Sequence, residues 1–379
     1  MKSIQIHYKN KNWTSIPSTL GINDLNPQIV LAFGDTALVG SELAYKHLQE
    51  TFPKADIISA STSGEILGGQ LFDETIVVTA IEFENTPVKS EVTHYTDHAN
   101  SFEAGKYLME KLNTDGLNAV VVISDGSYTN GSELVSGLNF NKPAHVSVTG
   151  GLAGDAARFQ KTLVGLNEVA NEGKIVAIGF YGENINIGHS SFGGWDEFGK
   201  ERVVTKSDKN VLYELDDKNA LDLYKEYLGP YVDELPGSAL FFPLSIRIEN
   251  DNANLVRTIL TIDEEKKTMT FAGNLPVGSK VRLMKANFDK LITASSNAAK
   301  ESIKNGSSAD LALLISCVGR KLVLQERTIE EVEAAKLIFG NNTTITGFYS
   351  YGEISPFNPN TNCELHNQTM TITTFSETV

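Results

Sequence analysis

Tyr349, Tyr351, Glu353, Arg320, His366 and Asn367 are side chains of the kind that line a pocket for a small polar molecule. A zwitterionic amino acid needs a cation for its carboxylate and an acceptor for its ammonium. The planar fork of Arg320 suits the first and Glu353 the second. Tyr349 and Tyr351 would add apolar walls with polar tips. The competing expectation is an internal ion pair between Arg320 and Glu353, with the tyrosines in the core. Ser61, Thr62, Ser63, Gly64 and Glu65 repeat the small-polar-then-glutamate pattern, as the opposite wall of a cleft or as a tight turn. Gly151 and Asp155 belong to the loop Gly150 to Asp155, which lacks the G-x-G-x-x-G spacing of a dinucleotide site.

Other chemistries have fewer residues behind them. Cys317 with His366 would make a nucleophile and base, but no motif supplies a third group to orient the histidine. The simpler expectation for Cys317 is a small buried residue at a strand end. His94 and His98 stand four apart in a polar stretch, with no further ligand pattern, so no metal is expected. His366 or His189 would suffice as an axial haem ligand, although neither carries an attachment motif.

The segments that must position these residues form an internal repeat. The first copy opens with the apolar run Ile29 to Phe33, breaks at Gly34-Asp35, and continues as a helix to about Phe52. Asp56 to Ala60, the loop Ser61 to Glu65 and a strand from Thr75 to Phe83 follow. The last copy runs Leu311 to Ile315, a break at Ser316 to Gly319, and a helix with the capping-box pair Thr328 and Glu331. It ends with Thr343 to Phe348, the loop Tyr349 to Glu353, and Thr369 to Phe375. Both copies place Gly-Glu-Ile after the second strand, as Gly64-Glu65-Ile66 and Gly352-Glu353-Ile354. A looser middle copy spans Ala119 to Ser124, a short helix near Glu133, His145 to Thr149, and Lys174 to Tyr181.

Short, continuous apolar strands separated by helices predict an α/β fold with mixed sheets, in two lobes built from β-α-β-β units. Ligands in such sheets gather beyond the carboxyl ends of the strands, where the small-residue loops lie. Between the second and third copies the texture changes. Asn219 to Leu228 reads as a helix, while Ala239 to Glu249, Leu255 to Ile262, Thr268 to Phe271 and Lys280 to Leu283 alternate as mostly antiparallel strands. Phe288 to Ile303 is an amphipathic helix that Asn305-Gly306 would stop. The charged stretch Gly199 to Asp208 suggests a boundary between domains at 1–200 and 208–379.

Composition narrows the function. With 32 basic against 47 acidic residues the net charge is −15, which repels phosphate backbones and anionic lipids. Neither nucleic acid nor a membrane surface is therefore an expected partner. No apolar run approaches the ~18 residues that span a bilayer, and the start of the chain has no secretory pattern. Two cysteines in 379 residues make no disulfide framework, so a cytoplasmic setting is expected.

The C-terminal half resembles the FIST C-terminal domain. The resemblance rests on Asn219 to Tyr224, Phe242-Pro243-Leu244, Gly273-Asn274-Leu275-Pro276-Val277-Gly278, Cys317 to Arg320, Gly347 to Ile354, and His366 to Thr369. The N-terminal half is similar to the FIST N-terminal domain through Ala60 to Ile66 and the loop Gly150 to Asp155. The resemblance implies a sensory, signal-transducing module that binds a small ligand such as an amino acid, and no catalysis. Haem-containing nitric-oxide sensors among similar proteins make haem the alternative cofactor. No kinase, cyclase or chemoreceptor segment lies outside the two domains. Output would then pass to a separate histidine kinase, cyclic-dinucleotide enzyme or chemoreceptor, and a homodimer is compatible with this.

Overall fold

The computed structural model describes residues 1–379 apart from 17–19, 236, 248–254, 304–307 and 379. Two sequence expectations touch the omitted stretches. Asn305-Gly306 and the end of the Ala239 to Glu249 strand lie outside the described residues.

The fold is mixed α/β, as the strand and helix pattern predicts. The described residues form three six-stranded mixed sheets and one eight-stranded sheet. Each six-stranded sheet is built on one copy of the repeat, and the looser middle copy is as complete as the others. In the first copy the strand Ile29–Gly34 pairs in parallel with Asp56–Ser61 and antiparallel with Ile76–Glu82. In the second, Leu117–Ser124 pairs in the same way with Ser147–Leu152 and Lys174–Tyr181. In the third, Leu311–Cys317 pairs with Thr344–Ser350 and Met370–Glu377. A preceding strand pairs beyond the third strand of each copy, Lys2–Lys9, Val88–His94 and Ile185–Phe192 respectively, and Asn12–Ser15 adds the outermost strand beside Lys2–Lys9.

The opposite edge of each sheet is closed by exchange. Glu65–Leu67 of the first copy pairs with the third, and Gly352–Pro356 of the third pairs with the second. Val164–Leu166 of the second pairs with the first, which completes the cycle. The exchanged strands cover edges that would otherwise expose unpaired N–H and C=O groups.

The apolar runs have a period of two that serves both faces of each sheet. Ile29, Leu31 and Phe33, with Ala119, Val121 and Ile123 and with Leu311, Leu313 and Ile315, meet in one central core shared by all three copies. The alternate residues face the helices instead. Val30 and Ala32 pack on Ala44 and Leu48, Val120 and Val122 on Leu108 and Leu134, and Ala312 and Leu314 on Ala298 and Val332. Burial on both faces is why these strands read as unbroken hydrophobic runs.

Gly150 and Gly347 occupy matched positions in the second strands of their copies, opposite Val122 and Leu314. Their φ values of 142° and 156° suit glycine, and a Cβ would strike the opposing carbonyl oxygen in both cases. Ser59 takes the place in the first copy, opposite Ala32.

The described residues of 196–285 form an insertion in the third copy, between its outer strand and the helix Phe288–Ser302. Their sheet is curled and antiparallel, and it has its own core around Leu212, Tyr224, Ile246 and Phe271. The stretch Gly199 to Asp208 lies within its long strand Asp196–Asp208. The expected strand from Ala239 is shorter than its alternation suggested. Gly237–Phe241 is a 3-10 turn, and strand pairing starts at Leu244 after Pro243.

The capping box expected at Thr328 and Glu331 does not form. The Thr328 hydroxyl donates to the carbonyls of Lys321 and Gln325, while Glu331 turns inward to other partners.

Candidate functional site

The loops singled out in the sequence do converge, but most of their side chains are sealed inside a hub of exchanged strands. Ser63 N–H donates to the Tyr349 carbonyl, and Tyr349 N–H donates to that of Gly64. Tyr351 N–H donates to Leu152, while Gly154 and Ala156 donate to Ser61 and Thr62. The Ser61 hydroxyl accepts from Leu163 N–H, and the Ser63 hydroxyl donates to Ala156. Gly151 lies opposite Glu353 in the sheet, where a Cβ would press on Ile315.

Glu65 and Glu353 stand at matched places on their exchanged strands and have matched partners. Glu65 accepts from the Thr62 hydroxyl (2.6 Å) and from the N–H and hydroxyl of Thr75. Glu353 accepts from the Ser350 hydroxyl (2.7 Å) and from the N–H and hydroxyl of Thr369. Burial pushes Glu65 up to about 7 and Glu353 up to about 8, against the opposing pull of these donors. Val164 holds the corresponding place in the second copy, opposite Ala60.

Arg320 is the main correction to the expected pocket. It is fully buried, and its partner is Glu331 rather than Glu353 or a ligand. Nε and Nη2 donate to Glu331 at 3.0 and 2.7 Å, and the remaining N–H groups reach the carbonyls of Gly193, Gln368 and Leu291. All five donors are therefore engaged, and none remains for a ligand carboxylate. Glu331 also accepts from Ser316 and from Tyr349, so Tyr349 is a core residue of this network.

Cys317 is buried, and burial drives its thiol above the range in which a thiolate forms. His366 is held near 4 by burial, and its Nε2 lies 2.9 Å from the Ser355 carbonyl. His366 is 2 % exposed and packed against the Phe357 ring at 4.7 Å, which leaves no open face beside it for a haem. His189 lies within the strand Ile185–Phe192, opposite Thr373. Asn367 is buried, with its amide nitrogen on the His366 carbonyl and its Oδ1 without a partner among the described residues. Among the described residues no group of three His, Cys, Asp or Glu is placed to hold a metal.

Two of the expected residues border open space, Asp155 at a hollow of about 410 Å³ beside Asp35, Thr36 and Arg158, and Tyr351 at the cleft with the more continuous walls. Tyr351 borders a cleft of about 340 Å³ at the carboxyl end of the second copy's first strand. The floor is the turn Gly126 to Gly131, which begins the helix Gly131–Asn139. Buried Asp125 shapes this turn by accepting from the N–H groups of Ser127 and Tyr128 and from the Thr162 hydroxyl. Asn130 caps the helix through Glu133 N–H and donates to Asn274 of the inserted sheet. That sheet supplies the facing wall with Asn210, Leu260 and Phe271 to Gly273.

The side wall is an aromatic stack of Phe159 on Tyr351, with ring centroids 4.7 Å apart and nearly parallel. Phe159 has φ 52°, a left-handed conformation that costs a bulky residue about 1–2 kcal/mol. Asp155 holds it there. Its carboxylate accepts from the N–H groups of Phe159, Gln160 and Lys161 at 2.8 to 2.9 Å, and from the Tyr351 hydroxyl. Asp155 therefore acts on the cleft by positioning other residues.

Sequence reasoning passed over Thr129, Asn130, Phe159 and the inserted wall. The signal available was the turn Asp125-Gly126-Ser127-Tyr128-Thr129-Asn130-Gly131, a strand-to-helix loop at the end where ligands gather.

The fold and site define a class: a mixed α/β scaffold of repeated strand–helix units with a polar cleft at its strand ends. The chain belongs to the FIST family. The FIST N domain model matches residues 28–218 and the FIST C domain model residues 220–356, nearly the whole chain. FIST domains are associated with sensory signal transduction and small-ligand binding. No match is found among curated proteins. No helix among the described residues is long and apolar enough to cross a membrane.

Proposed function

We propose that this protein is a sensory module whose small polar ligand occupies the cleft between the second copy of the repeat and the inserted sheet. The observation that carries the reading is Thr129, which lines the cleft. Its hydroxyl is buried and has no partner among the described residues. A buried hydroxyl left unpaired costs about 1–3 kcal/mol, which a ligand hydrogen bond would relieve. Because the walls come from two structural units, a ligand that contacts both would change how they sit together. A separate signalling protein, such as a histidine kinase, a cyclic-dinucleotide enzyme or a chemoreceptor, would read that change in the cytoplasm.

An amino acid is the first ligand class to test. With Arg320 committed to Glu331, its carboxylate would have to be met by backbone N–H groups. Thermal unfolding of the full chain against free amino acids and other small metabolites tests the reading. A ligand at about 100 times its Kd adds roughly 2.7 kcal/mol, a shift of a few degrees in a protein this large. The shift should disappear in Thr129→Val. A shift that survives this change and also Phe159→Leu would place the ligand elsewhere and defeat the proposal.

A further inference from the structure

We infer that the ligand of this cleft is an uncharged planar ring carrying both hydrogen-bond donors and acceptors, of the nucleobase or nicotinamide type. The inference rests on the reading of the cleft as the ligand site and adds its chemical class.

Two aromatic stacks border the space. Tyr128 lies on Tyr95 with rings 5.1 Å apart and almost parallel, and Phe159 lies on Tyr351. The outer ring of each stack, Tyr128 and Phe159, is 50 % exposed, which is unusual for side chains so large. Phe159 is held out against its backbone preference by a dedicated buried carboxylate. Exposed, immobilised aromatic faces are what a flat ring stacks upon.

Charge points the same way. Apart from the tyrosine phenols, no ionisable side chain is among the described residues lining the cleft. Around it Lys209 pairs with Glu133 at 2.9 Å and Lys161 with Glu172 at 3.3 Å, while the carboxylates of Asp125 and Asp155 are turned to N–H and hydroxyl donors behind the lining turns. The protein as a whole carries a formal charge of −15, which disfavours an anion. Burying a full charge among neutral groups is unfavourable, whereas a neutral ring that can donate and accept would satisfy Thr129.

The test uses matched probes. Uracil, adenine and nicotinamide are titrated into the full chain by calorimetry and thermal unfolding, beside nicotinate, L-phenylalanine and L-leucine. Nicotinamide and nicotinate share a ring and differ by one charge. The expected result is that at least one neutral ring binds and raises the unfolding midpoint, with nicotinate at least tenfold weaker than nicotinamide wherever nicotinamide binds. Thr129→Val, which preserves shape, and Phe159→Leu should each weaken the neutral ring about tenfold. Binding of an amino acid that both substitutions abolish, with the neutral rings inert, would overturn the inference yet leave the cleft as the ligand site. Neutral-ring binding unaffected by either substitution would overturn both. If none of the six probes binds, the inference fails, and the wider metabolite panel decides the fate of the site itself.

Discussion

The second and third copies of the repeat share one backbone plan and use the end of their first strand in opposite ways. In the third copy that end is plugged. Arg320 reaches Glu331, and both are fully buried with Ser316 and Tyr349 in the same network. In the second copy the matched end is open: Asp125 curls the turn Gly126 to Gly131 around a cleft that the inserted sheet overhangs. Strand order therefore does not decide where a ligand can sit. The side chains at the strand end do, together with whatever the chain places above them.

Removing the plug breaks the comparison most directly. Arg320→Met leaves Glu331 buried without its cation, and breaking such a pair costs about 3–5 kcal/mol. Denaturant unfolding should show a loss of that size. The double change Arg320→Met with Glu331→Leu should recover much of it, because an apolar pair of similar volume needs no compensation. Ligand binding in the cleft should survive wherever the fold does. If Arg320→Met instead left stability intact and abolished ligand binding, the plugged end would be the functional one.

Asp155→Ala sharpens the open side of the comparison. It removes one acceptor from three N–H groups and from Tyr351, and hydrogen bonds to a charged group are worth about 1.5–3 kcal/mol each before relaxation. A net loss of about 3 kcal/mol is expected on unfolding. Hydrogen exchange should speed up at Phe159, Gln160 and Lys161 while the strand Leu311–Cys317 stays protected. Equal loss of protection in both places would mean that Asp155 supports the whole hub and has no special bearing on the cleft.

What could be read in advance follows from how local each cause is. The outer copies announced themselves through Gly-Glu-Ile, and the strands through apolar runs whose period matches burial on both faces. The exchange of Glu65–Leu67, Val164–Leu166 and Gly352–Pro356 among the copies is a pairing across long sequence separations, and no local pattern encodes it. Thr328 and Glu331 had the spacing of a capping box, yet the buried guanidinium of Arg320 offered Glu331 a stronger partner than the N–H groups of the helix start. The cleft was half visible. Tyr351 was recognised, but Phe159 depends on a left-handed backbone that only Asp155 explains. The facing wall, Phe271 to Gly273, comes from more than a hundred residues away in sequence.

The smallest expected effect concerns what the first and third copies share and the second lacks. Glu65 and Glu353 are raised from 4.5 to about 7 and about 8, chiefly by burial, so the folded state favours their protonated forms. Their contribution to stability is complete below pH 4.5 and is lost as pH rises through 7 and 8. His366 has the opposite sign. Its folded value is depressed to about 4, so its contribution is present above 6.5 and lost as pH falls through 4. The two oppose each other between pH 4.5 and 6.5, and above 6.5 the histidine adds no further slope. Stability should therefore fall by on the order of 2 kcal/mol between pH 6.5 and 9, a midpoint change of a degree or more. Glu65→Gln with Glu353→Gln copies the neutral form and should flatten that limb. A limb of unchanged slope would mean that both carboxylates are ionised in the fold, with Thr62, Thr75, Ser350 and Thr369 as sufficient donors, and the matched pair would then be a pair of buried anions.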